Sequence, residues 1–312
     1  MKVLLTSTSF QDTPGRHHDK LNALDVDIDF LRGPLSASVI LPVIKKYDAL
    51  ICGDDELNRK VLLKGSQTKL KFISKYGVGL DKIDLEAAAE YGIKIKNCLG
   101  ANHITVAEHV FALLLAAYKN LYTEFNHTKS GNWVRITGNE IYGKTIAIIG
   151  LGKIGKEVAI RAKAFGMRIM AFDKNIEKDF CLSQGIKYSN KLIDITPQAD
   201  IISLNLSLTY ETKGIITKEI VEHYMKKGVV IINTARAALL PTKNIIYGLD
   251  SKIIRYYLTD VMDIEPIEKA HPLIDYENVL ITPHIGSRTF ESVERQGLMA
   301  VENLEKMIQE FN

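Results

Sequence analysis

The chain has 312 residues, of which 46% are hydrophobic and 25% charged, with a net charge of +3. That length accommodates two domains with separate cores, and so small a charge, with no Lys/Arg block, excludes a platform for nucleic acid. The most apolar run, Val110–Tyr118, is far below the ~20 residues of a bilayer span, so no membrane association is expected.

The first residues, MKVLLTSTSF, carry one lysine and read as a strand, Lys2–Ser7, and not as a signal peptide. A polar loop with Pro14, Gly15, Arg16, His17 and His18 follows. The two histidines lack a carboxylate–histidine spacing, so they are expected to be solvated and no metal is expected. Strands are predicted at Val26–Leu31, Asp48–Gly53, Leu70–Lys75 and Ile93–Asn97. Helices are predicted at Ser36–Tyr47, Leu57–Leu63 and Leu85–Tyr91. Strands alternating with helices at this pitch imply a parallel sheet covered on both faces. From His103 to about Phe125 the residues are apolar nearly all round a helix, as in an element buried between domains or against another subunit. Gly131–Gly138, with Trp133, reads as a connecting loop. Cys52, Cys98 and Cys181 are scattered, with no C-x-x-C, as in reduced thiols of a cytoplasmic protein.

Thr145–Ile149 (TIAII) is then a strand buried on both faces. It runs into Gly150, Gly152 and Gly155, spaced G-x-G-x-x-G, and a helix follows with Ile154, Val158, Ala159, Ala162 and Phe165 on one side. Gly166 stops that helix, Arg168–Phe172 is a second strand, and Asp173 stands 18 positions past Gly155. Each part has its reason. The first glycine permits the tight turn, the second lets backbone approach a pyrophosphate, and the third lets helix pack on strand. The carboxylate accepts from a ribose diol and repels a 2′-phosphate, which favours NAD over NADP. Lys174 and Asn175 follow at once and soften that preference.

The alternation resumes with strands at Ile201–Leu206, Val229–Asn233, Tyr256–Val261 and Val279–Pro283 and helices at Lys218–Met225 and Thr242–Leu249. A long amphipathic helix, Phe290–Phe311, closes the sequence and is expected to return to the first domain. Arg236, Glu265 and His284 each follow a strand, where open α/β sheets keep their sites. An arginine there can hold a carboxylate bidentately, a histidine can exchange a proton with a carbonyl oxygen, and an acid beside it can stabilise the imidazolium. Together they suit hydride transfer between a nicotinamide and a keto acid, with reduction failing as pH rises and oxidation failing as it falls. Taken singly, a surface ion pair, a turn acid and a structural histidine explain them equally well.

Longer motifs separate these readings. INTAR (232–236), DVMDIEP (260–266) and ITPHIGSRT (281–289) resemble the arginine, glutamate and histidine motifs of the NAD-dependent D-2-hydroxyacid dehydrogenases. KYGVGLDKIDLEAA (75–88) resembles their substrate-domain loop, and NCLGANHITVAEHVFALLLA (97–116) their crossover helix. The resemblance implies a two-domain α/β fold, a Rossmann-type nucleotide domain (101–284) inserted into a flavodoxin-like substrate domain (1–100 plus 285–312). It implies Arg236, Glu265 and His284 as the catalytic trio, and Val78 and Gly79 at the substrate carboxylate. Lys153, Ile154, Thr234, Ala235, Asp260 and Gly286 join the glycines and Asp173 around NAD, with Asp260 near the nicotinamide carboxamide. A homodimer through the nucleotide domain is also implied.

Ala237 stands where the family commonly has glycine, Pro241 where it has an acid, and Asn205-Leu206-Ser207 where it has histidine-x-proline. Lys75 precedes the carboxylate loop at a position where phosphoglycerate dehydrogenases resemble this chain but carry a cation for the substrate phosphate. Two readings stay open, a point charge for a phosphate or a solvated lysine at a strand end. The KYGVGLDKID stretch looks most like that of phosphoglycerate-dehydrogenase-type members, so 3-phosphoglycerate and phosphohydroxypyruvate are favoured, with hydroxypyruvate, glyoxylate or another small 2-keto acid as the alternative. The sequence ends with its returning helix, so no regulatory effector domain is expected. A reading from another class is an NAD-sensing interaction protein, since the fold also resembles corepressors that use the dinucleotide as a signal.

Overall fold

A computed structural model describes residues 1–310, so Phe311, the expected end of the last helix, lies outside the described residues. The chain forms two compact units, Met1–Asn102 with the segment from Ser287 onward, and His103–Gly286.

In the first unit five parallel strands, β1 (Lys2–Leu5), β2 (Asp27–Phe30), β3 (Ala49–Cys52), β4 (Phe72–Lys75) and β5 (Lys94–Asn97), lie in the order β2-β1-β3-β4-β5. This is the flavodoxin-like order. The central strand β3 is buried along its whole length, as a strand covered on both faces must be. The helix Phe290–Gln309 packs one face of the sheet: its Val293, Ala300, Val301 and Leu304 share a core with Val3, Leu5 and Phe72. Polar bonds fix its register, from Ser74 Oγ to the Ala300 carbonyl (2.6 Å) and from Asn303 Nδ2 to the Asn97 carbonyl (3.1 Å). Strand register brings Cys52, Lys75 and Asn97 side by side at the carboxyl edge.

Two expectations fail here. The predicted helix Ser36–Tyr47 is one turn, Ala37–Ile40, followed by a 3-10 turn at Ile44–Lys46. Pro42 lies between them and cannot supply the amide that a continuous helix needs. The polar loop around Pro14 instead joins two short helices, Thr8–Asp12 and Arg16–Asn22. His17 is fully buried edge-on against Phe10 and bonds its carbonyl through Nε2 (3.2 Å), so it is not solvated. Arg16 does stay exposed, paired with Glu294.

The second unit holds seven parallel strands: β6 (Thr145–Ile149), β7 (Arg168–Phe172), β8 (Lys187–Ser189), β9 (Ile201–Leu204), β10 (Val229–Asn233), β11 (Ile254–Thr259) and β12 (Val279–Ile281). Their order is β12-β11-β10-β9-β6-β7-β8, the dinucleotide-binding order with one added edge strand. Chain order reverses between β6 and β9, where such sheets open a crevice at their carboxyl ends. The apolar stretch from His103 is two helices, His103–Tyr118 and Leu121–Lys129, whose axes turn by 63°. Asn120 between them takes a left-handed conformation (φ 52°), which ends the first helix. The first helix buries Ala107, Val110 and Leu114 against β6 and the helix Lys153–Ala164. The second buries nothing within the chain. Around residues 218–225 the expected helix is a short π-type segment, Ile220–Tyr224. Among the described residues no single helix is long and apolar enough to cross a membrane.

Candidate active site

The glycine turn behaves as its spacing requires. Gly150 has φ +101°, and a Cβ there would lie 2.8 Å from the Asn205–Leu206 backbone. A Cβ on Gly155 would meet the Gly150 carbonyl at 2.0 Å, so the first helical turn packs directly on the strand end. A Cβ on Gly152 would meet nothing within 4 Å, which leaves the helix mouth open. Gly152 caps the helix that Lys153 and Ile154 begin, and no acid stands in its first turn to repel a phosphate. Asp173 accepts from the Leu151 amide (2.8 Å) and the Asn175 amide (2.9 Å), which fixes its carboxylate beside the glycine turn. Lys174 points its charge at Glu211 (2.5 Å). The positive charge that follows Asp173 is thereby answered within the protein, consistent with a ribose diol and not a phosphate at this edge.

At the end of β10, Asn233 organises the next turn. Its side chain donates to the Arg236 carbonyl (3.0 Å) and accepts from the Ala235 amide (3.1 Å). Among the described residues Thr234 finds no partner for its buried hydroxyl, an orphan polar atom of the kind a cofactor's polar group satisfies. Arg236 starts a 3-10 turn, Ala237–Leu239, and its guanidinium donates to the Ala235 carbonyl (2.9 Å). Ala237 does not have a positive φ, so alanine is unstrained where the family commonly has glycine. Pro241 serves as the N-cap of the helix Thr242–Asp250, where its missing amide costs nothing.

Glu265 and His284 meet directly. His284 Nδ1 donates to Glu265 Oε2 (2.8 Å), and Glu265 Oε1 accepts from the Met262 amide (2.9 Å). This assigns the Nδ1 proton and turns Nε2 into the nitrogen that exchanges protons. Both side chains are about one-third exposed, 31% and 35%. His284 adopts φ 55°, unusual for a non-glycine residue.

Asp260 organises the turn that carries His284. It is 2% exposed, and its carboxylate accepts from the Thr282 hydroxyl (2.6 Å) and the amides of Ile285 (2.9 Å) and Gly286 (2.7 Å). Burial pushes its pKa up, and the bonds from His109, Thr282 and the two amides outweigh that and hold it below the ordinary carboxylate range. Its oxygens are engaged with the histidine turn. Gly286 follows from this contact, because a Cβ there would lie 2.8 Å from Asp260 Oδ2. The sequence offered no local signal for either, since the partners are 22 to 26 residues apart.

In the first unit, Lys75 is not the solvated lysine that one reading expected. Its side chain is 3% exposed, and Nζ donates to Asp54 (2.7 Å) and the Gly53 carbonyl (2.6 Å). It lies beneath the following turn, where Gly77 has φ +117° and a Cβ would come 3.7 Å from Nζ. Asn97 Nδ2 holds the Val78 carbonyl (2.7 Å), and the Cys98 amide holds that of Gly77 (2.9 Å). Among the described residues the amides of Val78 and Gly79 donate to no protein acceptor, so two adjacent N–H groups are left for an anion. Burial pushes the Cys52 thiol up to about 12 and the Cys98 thiol to about 11, so neither is a nucleophile at neutral pH.

A family profile described as "D-isomer specific 2-hydroxyacid dehydrogenase, NAD binding domain" matches residues 111–286. A D-3-phosphoglycerate dehydrogenase of Methanocaldococcus jannaschii is 37% identical over 297 residues, 94% of this chain and 56% of its own length. The chain thus spans about half of that relative. A glyoxylate reductase of Korarchaeum cryptofilum is 32% identical over 94% of this chain and 90% of its own length. Among solved structures, a D-lactate dehydrogenase from Aquifex aeolicus complexed with NAD and lactic acid superposes with TM-score 0.86 and 29% identity, covering 99% of this chain and 96% of that one. These dehydrogenase and reductase relatives do not favour the corepressor-type reading. The glycine turn, the acid at the end of β7 and the profile match agree on NAD as the cofactor. With nine-tenths of its length shared with such relatives and residues 111–286 of the nucleotide unit matched by the profile, the chain belongs to the D-isomer-specific 2-hydroxyacid dehydrogenases.

Proposed function

We propose that this protein interconverts a small 2-keto acid and its D-2-hydroxy acid with NAD(H), His284 being the acid/base. The observation that carries the reading is the 2.8 Å contact from His284 Nδ1 to Glu265 beside a complete dinucleotide turn. NADH supplies the hydride. His284 Nε2 gives a proton to the carbonyl oxygen as the alcohol forms and recovers it in the reverse direction. Glu265 holds the ring in one tautomer and favours its charged form. Arg236 holds the substrate carboxylate and polarises its neighbouring carbonyl. In the five-stranded unit the amides of Val78 and Gly79 receive the carboxylate. Lys153, Ile154, Thr234 and Ala235 line the cofactor.

The substrate follows from charge. Lys75 is neutralised by Asp54 beneath the loop, which supports an unphosphorylated acid such as glyoxylate or hydroxypyruvate over phosphohydroxypyruvate. A phosphorylated acid is the competing reading, favoured by the 37% identity to a phosphoglycerate dehydrogenase. An NADH-oxidation assay with glyoxylate, hydroxypyruvate, 3-phosphohydroxypyruvate, pyruvate and 2-oxoglutarate decides between them. Wild type and Lys75→Met are run side by side, with melting temperatures recorded because Asp54 loses its partner in the variant. Preference for an unphosphorylated acid in both proteins is expected. Preference for the phosphorylated acid, abolished selectively by Lys75→Met, would reinstate the lysine as a phosphate ligand. No turnover of any acid would sink the dehydrogenase reading.

The same reading includes a homodimer through the nucleotide unit. Its support is the apolar surface after the 63° turn, where Tyr122 is 71%, Phe125 62% and Trp133 82% exposed. Sedimentation velocity on wild type and Trp133→Asp should show a dimer weakened by the substitution. A wild-type monomer at assay concentration removes this part of the reading.

A further inference from the structure

The turn that carries His284 is unfavourable by itself. A left-handed non-glycine residue is strained and persists only where its surroundings over-determine it. The surroundings here are a chain of three polar groups. Thr282 Oγ1 donates to Asp260 Oδ1 at 2.6 Å, which commits the hydroxyl proton. His109 Nε2 lies 2.9 Å from the same hydroxyl oxygen and 3.4 Å from Asp260 Oδ1, so Nε2 carries a proton and donates it. Asp260 spends its remaining acceptor capacity on the Ile285 and Gly286 amides, the two that follow His284. A Cβ on Gly286 would lie 3.4 Å from His109 Cδ2 as well as 2.8 Å from Asp260, so ring and carboxylate together close on that turn.

We propose that His109, from the helix His103–Tyr118, is a positioning residue for His284, acting through Thr282 and Asp260 on the turn Thr282–Gly286. Its ring is 16% exposed and sits 173 residues from Thr282 in sequence, on an element that otherwise packs by apolar contact. The helix thereby sets the orientation of the acid/base through Thr282 and Asp260. Small misplacements of a reacting group cost up to about a hundredfold in rate. The kinetic part of this inference rests on the dehydrogenase reading.

The experiment compares His109→Leu, which removes the donor, with His109→Gln, whose Nε2 amide retains one. Thr282→Val cuts the same chain from the other side and serves if His109→Leu fails to fold. In His109→Leu, kcat for the preferred keto acid is expected to fall about ten- to a hundredfold, with the NADH dissociation constant and melting temperature little changed. His109→Gln recovers most of the loss, and adding Thr282→Val to His109→Leu costs little more, because both break one chain. Nitrogen-15 spectra of the His284 ring, assigned with His284→Gln, report its tautomer independently of turnover. Wild type shows the proton on Nδ1, and His109→Leu shows a mixture. Unchanged kcat in His109→Leu, equal loss in His109→Gln, or a loss confined to NADH binding overturns the proposal. If wild type reduces no acid, the functional reading fails by itself; an unchanged His284 spectrum in His109→Leu then overturns this inference separately.

Discussion

The carboxyl edges of the two sheets hold their loops by opposite means. In the seven-stranded unit a buried carboxylate, Asp260, gathers a hydroxyl and two amides and leaves a side chain, His284, paired with Glu265 on the turn. In the five-stranded unit side chains do the gathering: Lys75 with Asp54 from beneath, Asn97 at the Val78 carbonyl. What remains exposed there is backbone, the amides of Val78 and Gly79. One loop is built to present an imidazole in a fixed tautomer, the other to present two N–H dipoles. Proton transfer needs a titratable group, whereas carboxylate binding needs only oriented donors.

Removing the imidazole tests the sharper side of this contrast. His284→Ala is expected to lower kcat by about a hundred- to ten-thousandfold while NADH binding, followed by fluorescence, stays within about twofold. Comparable turnover in the variant would leave the first loop without its proposed chemistry. Gly77→Ala strikes the backbone loop instead, because φ +117° admits glycine and little else. KM for the keto acid should rise about tenfold, with kcat and NADH affinity less affected; a change in NADH affinity alone would mean that the loop serves another purpose. Glu265→Gln keeps the bond to Nδ1 and removes the charge. The pH at which reduction is half lost should then move down, since the imidazolium loses its stabilising neighbour; an unmoved profile would show that Glu265 only orients the ring.

The smallest effect belongs to the five-stranded unit alone. Arg32, with Arg288, holds the Asp12 carboxyl down at about 2. A depressed acid stabilises the fold above its ordinary pKa, and that contribution is lost as pH falls from about 4 to about 2. The pair is partly solvated, so Asp12→Asn should flatten the acid-side fall of the melting temperature by only about 1–2 °C. A fall identical in the two proteins would mean that these arginines do not stabilise the folded state through Asp12.

Legibility in the sequence tracked distance along the chain. Strand, glycine turn, helix and acid from Thr145 to Asp173 are local, each residue type answering a constraint set by its neighbours, and the two parallel sheets follow from the alternation of short apolar runs. The apolar spacing over Ser36–Tyr47 is helical, but Pro42 breaks it, and past Tyr118 the left-handed turn at Asn120 ends the helix at a residue type that also occurs inside helices. Burial was the other blind spot. A lysine at a strand end carries no mark of the aspartate 21 residues earlier that neutralises it, nor His17 of the phenyl ring that covers it. The chain from His109 through Thr282 to Asp260 spans most of the nucleotide unit, and no window of residues contains it.

The amides at Val78 and Gly79 bear on how such a protein diversifies. A grip made of main chain is indifferent to which side chains decorate it, provided Gly77 keeps the turn and Lys75 its support. On the proposed reading, exchanging the Val78 side chain alters the shape offered to the rest of the acid while its carboxylate stays anchored on the amides. Variants at this position can then drift from one keto acid to another through intermediates that bind both, and a library confined to it is the economical route to a new preference.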